Sequence, residues 1–331
     1  MKFKVLTTLA IFVAVVFTSC TDDTTAIGNW VKIGNFQGKS RAYGASFTIN
    51  NQGYFGLGKD DDDYFSDFWK LNTEKNSWNR VADFPGIPRS FCVSVSTSKK
   101  GYVGLGYDGD NDLSDFYEYD PETDSWTKIA DFPGGPRRYA TGFAIGDDIY
   151  VGTGTSEKDK VYWNDFYKYS NGSWSEISPL PDQKRKGSTV VTYKGCAYLI
   201  GGYHNGLVDD FWKYDPQQDK WEPLEDLTKE DYGNSSVPRW MAVSFASEGS
   251  IYLASGITSS GASLSSIYEW NDTDSVWTEK TNIESNVTRQ GAGGFVIDNC
   301  GYIIGGCNGG DNYFDDYYKF EPLVEKNTDD N

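Results

Sequence analysis

Six arginines recur along this 331-residue chain at near-constant spacing: Arg41, Arg89, Arg137, Arg185, Arg239 and Arg289, separated by 48, 48, 48, 54 and 50 residues. In five of the six units an aspartate follows: Asp67, Asp115, Asp165, Asp210 and Asp316. A guanidinium is a planar fork that grips a carboxylate through two parallel hydrogen bonds. Two uses fit the pattern. Either the arginines and carboxylates neutralise one another, or some arginines are left to hold a ligand carboxylate or a peptide acid. The fifth unit departs from the rest. Ser266 stands where the aspartate is expected, so Arg239 lacks its local partner, and the preceding loop, TKEDYGNSSVPRW, is the longest of its kind. That loop brings Tyr232 and Trp240 beside Arg239. An arginine flanked by aromatics suits recognition of a sugar or peptide. Arg239, Trp240 and Tyr232 therefore lead the candidate binding residues, and Arg239→Ala is expected to weaken ligand binding more than Arg89→Ala.

Between the arginine and the aspartate of each unit lie loops rich in acids, glycine and aromatics: KDDDDYFS, YDGDNDLS, TSEKDKVYWN, YHNGLVD, ITSSGASLS and CNGGDNYFD. They add Tyr107, Tyr203 and His204 to the candidates. His204 is the only histidine, which excludes multi-histidine metal sites; in GGYHNG it reads as a solvent-facing loop residue. Asp108, Asp110 and Asp112 have the alternating spacing of calcium loops, so calcium is a candidate cofactor and no other is expected. The EF-hand pattern fails, because the twelfth position from Asp108 is Tyr119 rather than glutamate. A solvated acidic loop is the competing reading, for this stretch and for Asp60 to Asp63. Besides Cys20 the thiols are Cys92, Cys196, Cys300 and Cys307. Their positions in the repeat give no pair within bonding distance, so free, largely buried thiols are expected.

A formal charge of −18 repels nucleic acid and anionic membrane faces. An aromatic content of 16% excludes a disordered acidic chain. The first residues, MKFKVLTTLAIFVAVVFTSC, read as a secretory signal: two lysines, a short apolar run, then small residues ending at Cys20. FTSC resembles a bacterial lipobox, although Phe17 replaces the usual leucine-like residue. The resemblance implies cleavage before Cys20, lipidation of its thiol, and membrane contact only through that lipid. The acids in TDDTTAIG resemble the surface-export signal of some lipoproteins. The implied location is the outer membrane, with exposure at the cell surface a further implication.

The arginines belong to a larger repeat. Each is followed 17 residues later by a glycine (Gly58, Gly106, Gly154, Gly202, Gly256, Gly306), and tryptophans fall in step at Trp30, Trp78, Trp126, Trp174, Trp221 and Trp277. Each unit predicts four short strands: strand a after the arginine, strand b in a GYVGLG-type run, strand c in DFYEYD, and strand d at the tryptophan. Asp-Pro segments such as DPETDS form c–d turns whose acids are read as solvated. Strand a is innermost, and the d–a and b–c loops share one rim. Four strands per unit at a period near fifty mark a propeller blade. The arginine, the Tyr-x-x-Gly-Gly end of AYLIGG and GYIIGG, and the later Tyr-Asp and Trp resemble the kelch repeat over residues 29–322. Units one, two, three and five depart from it with GLG, GLG, GTG and ASG. The sixth unit lacks its tryptophan strand, while NWVKIGNF near the N-terminus matches SWNRVADF. That strand is expected to close the ring as outer strand of blade six, so that removing residues 29–36 sharply lowers the melting temperature.

The expected architecture is therefore all-β: a six-bladed β-propeller of four-stranded kelch-like blades, closed by an N-terminal outer strand in the last blade. The segments are a signal peptide (1–19), a lipidated tether (20–28), the propeller (29–322) and a polar tail (323–331). Kelch-type propellers include the copper domain of galactose oxidase, whose chemistry a chain with one histidine does not support. They also include sugar mutarotases, which need only an acid, a base and a binding arginine. The expected function is a non-catalytic platform for a glycan or an envelope or extracellular protein, using the rim. A mutarotase or epimerase, and a structural subunit of an envelope assembly, are the alternatives.

Overall fold

The runs GYVG, DIYVG, CAYLI, SIYLA and CGYII are apolar without the alternation of a half-wet strand, which places them between two other layers. The computed structural model describes residues 27–228, 237–283 and 287–327. It sets each run second in a four-stranded antiparallel sheet, buried almost throughout. Among the described residues there are six such sheets and one small extra hairpin, with no helix.

The first strand, β1 (Ile27–Asn35), belongs to a different sheet from the four that follow it. Blade one is β2 (Ala45–Ile49), β3 (Gln52–Gly56), β4 (Phe68–Asn72) and β5 (Ser77–Val81). Blade two is β6 (Val93–Ser96), β7 (Gly101–Gly104), β8 (Phe116–Asp120) and β9 (Ser125–Ile129). Blade three is β10 (Thr141–Ile145), β11 (Asp148–Gly152), β14 (Phe166–Ser170) and β15 (Ser173–Ile177), with the hairpin β12 (Thr155–Ser156) and β13 (Val161–Tyr162) in its b–c loop. Blade four is β16 (Thr189–Tyr193) through β17 (Cys196–Ile200) and β18 (Phe211–Asp215) to β19 (Lys220–Pro223). Blade five is β20 (Val243–Ser247), β21 (Ser250–Ala254), β22 (Ile267–Asn271) and β23 (Val276–Glu279). Blade six is β24 (Gly293–Ile297), β25 (Cys300–Ile304) and β26 (Asp316–Glu325), and its fourth strand is β1.

The closing strand pairs antiparallel with β26, from Ile27 opposite Glu325 to Asn35 opposite Asp316. Both strands overrun the boundaries expected from sequence. β1 begins inside the stretch read as tether, and β26 continues into the stretch read as polar tail, because pairing with each other satisfies backbone groups that would otherwise be orphaned. The signal peptide and Cys20 lie outside the described residues.

Neighbouring blades are joined at three radii. At the centre, hydroxyls on the innermost strands reach the preceding blade's carbonyls, as in Ser94 Oγ to Ser46 O at 3.1 Å and Ser46 Oγ to Gly294 O at 3.1 Å. Midway, the sheets sandwich apolar layers such as Phe47, Phe68, Phe84, Val103 and Tyr119 between blades one and two. At the outside, the tryptophan of each strand d packs on the preceding blade. Trp126 Nε1 donates to Ala82 O at 2.9 Å, Trp174 to Ala130 O at 2.9 Å, and Trp30 carries the same contact across the closure to Thr281 O at 2.9 Å.

The c–d turn acids, expected to be solvated, are exposed in Asp124 and Asp219, yet these two also bond across to the preceding blade. Asp124 Oδ1 accepts from Tyr119 Oη at 2.8 Å and from the Ala82 amide at 2.9 Å. Asp219 does the same with Tyr214 Oη and the Ser178 amide. The turn bends this one carboxylate back over the neighbouring blade, beside the tryptophan that bonds the same residue's carbonyl.

The structure explains why four blades dispense with the first glycine of the kelch pair. That position has φ near +57° in Leu57, Leu105, Thr153 and Ser255, a left-handed conformation that a side chain tolerates at modest cost. The second position does not allow this. Gly106 has φ +98°, and a Cβ there would stand 2.6 Å from Ser90 O. The glycine lets its amide donate to Arg137 O of the next blade at 2.9 Å, and Gly306 closes that series onto Arg41 O at 2.8 Å.

Candidate binding rim

The loops that enter strand a deliver each arginine to the same place, between its own blade's strands b and c. Arg89 shows the arrangement. Its Nε donates to Ile87 O at 2.9 Å, Nη1 to Leu105 O at 3.1 Å, and the fork closes on Asp115 at 2.5 and 2.9 Å. The ring of Phe84 lies 4.9 Å below the guanidinium. Arg41–Asp67, Arg137–Asp165 and Arg185–Asp210 repeat the clasp, whereas Arg289 meets Asp316 through Nη1 alone, at 3.0 Å. Burial alone would raise the Asp67 carboxyl, but the hydrogen bond and charge of Arg41 prevail and hold it below the ordinary aspartate value.

These contacts decide between the two uses of the arginine ring. All six arginines are at most 1% exposed. Arg41, Arg89, Arg137, Arg185 and Arg289 are therefore not ligand-holding residues. The forks of the first four are occupied by carboxylates already at bonding distance, and Arg289 is closed to solvent. Arg239, expected to be free, is also buried. It donates to Val237 O at 3.0 Å, Ser255 O at 2.9 Å, and both the carbonyl and the hydroxyl of Ser266 at 3.1 Å. Burial draws its pKa down to about 10. Ser266 thus replaces the aspartate with neutral acceptors and does not release the arginine.

The rim itself is made by the two residues after each arginine. The second of these, Tyr43, Phe91, Tyr139, Gly187, Met241 and Gly291, form a closed backbone ring in which each amide donates to the preceding blade's carbonyl. All six have φ between +54° and +64°, the left-handed turn that bends the chain down into strand a. Below the ring runs the channel of about 500 Å³ lined by the innermost strands. The rings of Tyr43 and Phe91 lie 4.5 Å apart and those of Phe91 and Tyr139 4.3 Å, giving the mouth an aromatic arc.

The first residue after the arginine reaches the preceding blade's b–c loop. Arg138 Nε donates to Asp112 at 2.5 Å with its guanidinium 3.5 Å from the Tyr107 ring centre. Lys186 Nζ donates to Glu157 at 2.7 Å, within 5.3–5.8 Å of the Tyr139, Tyr162, Tyr203 and Trp240 rings. The Lys186 hydrogen bond lowers the Glu157 carboxyl, against a smaller opposing effect of burial. Trp240 lies 5.1 Å from Tyr203 and 6.0 Å from Tyr139.

Trp240, Tyr203 and Tyr107 from the expected set therefore meet at this mouth, in the sector of blades two to five. His204 packs at its edge, its ring tilted 4.8 Å from that of Tyr162. Tyr232 lies outside the described residues. Sequence reasoning missed Arg138, Lys186, Tyr139 and Phe91. The signal was present in RSF, RRY, RKG and RWM, where the residues after the repeated arginine vary between blades while the arginine does not.

The candidate calcium loop does not gather its acids. Asp108 Oδ1 accepts from the amides of Asp110 and Asn111 at 2.8 and 2.7 Å, and Asp112 is taken by Arg138. Among the described residues no three acids, histidines or cysteines converge as a metal site. The described cysteines are unpaired. Cys307 is buried, whereas Cys92, Cys196 and Cys300 are only partly so.

Six four-stranded blades arranged in a ring, each locked by a buried arginine, define a six-bladed β-propeller. The kelch motif matches residues 106–133 and 184–228 of this six-bladed propeller. The solved structure entitled "Structure of YjhT" is similar in fold, with a TM-score of 0.72 at 19% identity, covering 86% of this chain and 95% of that one. No curated protein matches the chain. A kelch propeller serves as a scaffold for binding or for catalysis.

Proposed function

We propose that the rim of d–a and b–c loops is a recognition surface for a glycan, centred on blades three to five. The observation that carries this reading is the cluster of Tyr139, Tyr162, Tyr203 and Trp240 around Lys186. Aromatic faces offer the apolar C–H face of a sugar ring a large contact area, and the adjacent polar groups fix its orientation. The sides of the blades offer little to an assembly partner. Among the described residues the exposed large apolar side chains are Ile27, Ile87, Val161, Leu323 and Val324, too few for a broad interface. Removing the Trp240 indole costs an anchor on the order of 2 kcal/mol, about 30-fold in affinity. In a glycan-array screen of the form lacking residues 1–20, Trp240→Ala therefore loses the hits that wild type shows. A blank array for wild type, or hits that survive in Trp240→Ala with equal strength, overturns the reading.

We also propose that the chain is exported and held to the outer membrane by a lipid on Cys20. The geometry supports an outward-facing mouth. Ile27 pairs with Glu325 at the far end of blade six, whereas Asn35 pairs with Asp316 at the rim, so the tether joins the propeller on the side opposite the mouth. Cys20→Ser is expected to move the protein from the membrane pellet to the soluble fraction on cell fractionation. Unchanged membrane association of Cys20→Ser contradicts the anchor.

A further inference from the structure

Two cations in the blade-two-to-five sector of the mouth, Arg138 and Lys186, are each engaged twice. Arg138 is held by Asp112 and stacked on Tyr107, and the pair is nearly closed to solvent, with side-chain exposures of 14% and 5%. Lys186 is 12% exposed and sits among four rings, while its partner Glu157 is 53% exposed on the blade-three hairpin. Both carboxylates come from the b–c loop of the preceding blade. Each cation therefore orders the aromatic faces around it while its charge is cancelled from next door. The other cations of that hairpin, Lys158 and Lys160, are exposed at its turn, flanking Asp159.

A sector built this way presents ring faces without an uncompensated cation in their midst. A carboxylated sugar reaching Lys186 must first displace Glu157, and it approaches a chain of formal charge −18. A neutral sugar meets neither obstacle. Its hydroxyls exchange hydrogen bonds with the polar edge, and its C–H face lies on the rings. We propose that the rim selects neutral, hydroxyl-rich glycans over anionic ones, and that Glu157 is the specificity-determining residue because it neutralises Lys186. This rests on the rim reading above.

The test uses the form lacking residues 1–20 and matched probes: cello-, malto-, xylo- and galacto-oligosaccharides, with uronide counterparts of equal length, titrated by calorimetry. Wild type is expected to bind a neutral member more tightly than its uronide. In Glu157→Gln the ratio of uronide to neutral affinity rises about fivefold, as for release of a partly exposed charge, and the gain fades with added salt. A wild type that favours the uronide, or an unchanged ratio in a Glu157→Gln protein with wild-type melting behaviour, overturns the proposal. If no probe binds, neutral or anionic, the rim reading falls and this one with it.

Discussion

Replacing Arg89 with alanine is expected to lower the melting temperature by on the order of 10 °C. The substitution removes a guanidinium that satisfies two backbone carbonyls and Asp115 in a site closed to water. It leaves a carboxylate facing a cavity without its counter-charge, and breaking a buried pair from one side costs about 3–5 kcal/mol. Arg89→Lys restores the charge but not the planar fork, so it recovers only part of the loss. The double variant Arg89→Ala/Asp115→Asn should melt above the sum of its single effects, because the stranded charge is gone. Calorimetry of the four proteins checks this. A melting point for Arg89→Ala within a degree or two of wild type overturns the structural role of the clasp. Because Arg239 is buried in the same way, Arg239→Ala and Arg89→Ala both act first on folding. Comparing their ligand binding does not isolate blade five.

Deleting residues 29–36 is expected to prevent accumulation of a folded, monomeric propeller. The segment contributes Trp30, fully buried against Phe320 and bonded to blade five, and Phe36, which packs on Phe55, Trp69 and Trp78 of blade one. Losing one such large side chain costs about 3–5 kcal/mol, and the whole strand exceeds the margin of about 5–15 kcal/mol that a folded chain holds. It also uncovers the long edge of β26, an open template for aggregation. Size-exclusion chromatography and thermal melting of the deleted form measure the outcome, and addition of a peptide spanning residues 27–36 should restore part of the folded signal. A deleted protein that stays monomeric with unchanged melting contradicts the closure.

The repeat carried most of the fold because blades are nearly independent copies. The arginine, the second glycine and the strand-d tryptophan each solve one steric or hydrogen-bonding problem that recurs six times, so their spacing is visible without coordinates. The missing tryptophan strand at one end and its surplus copy at the other revealed the closure for the same reason. The turn acids show the limit. Glu122 and Asp124 are both acids of the same turn, DPETDS, and nothing in the letters separates their roles, yet only Asp124 folds back to the Ala82 amide.

The sequence by itself determined the blade count, the ring closure and the identity of the locking arginines, because these depend on local pattern and on periodicity. What only the tertiary structure decided is which way each polar group faces. Arginines that the letters allowed either to pair with carboxylates or to hold a ligand turn inward, where a low-polarity interior and waiting carboxylates and carbonyls hold them. Their immediate neighbours, Arg138, Lys186 and Trp240, turn outward and meet residues of other blades far away in the chain. One residue of offset reverses the direction of a side chain, and the partners that give it meaning are brought to it by the packing of one blade on the next.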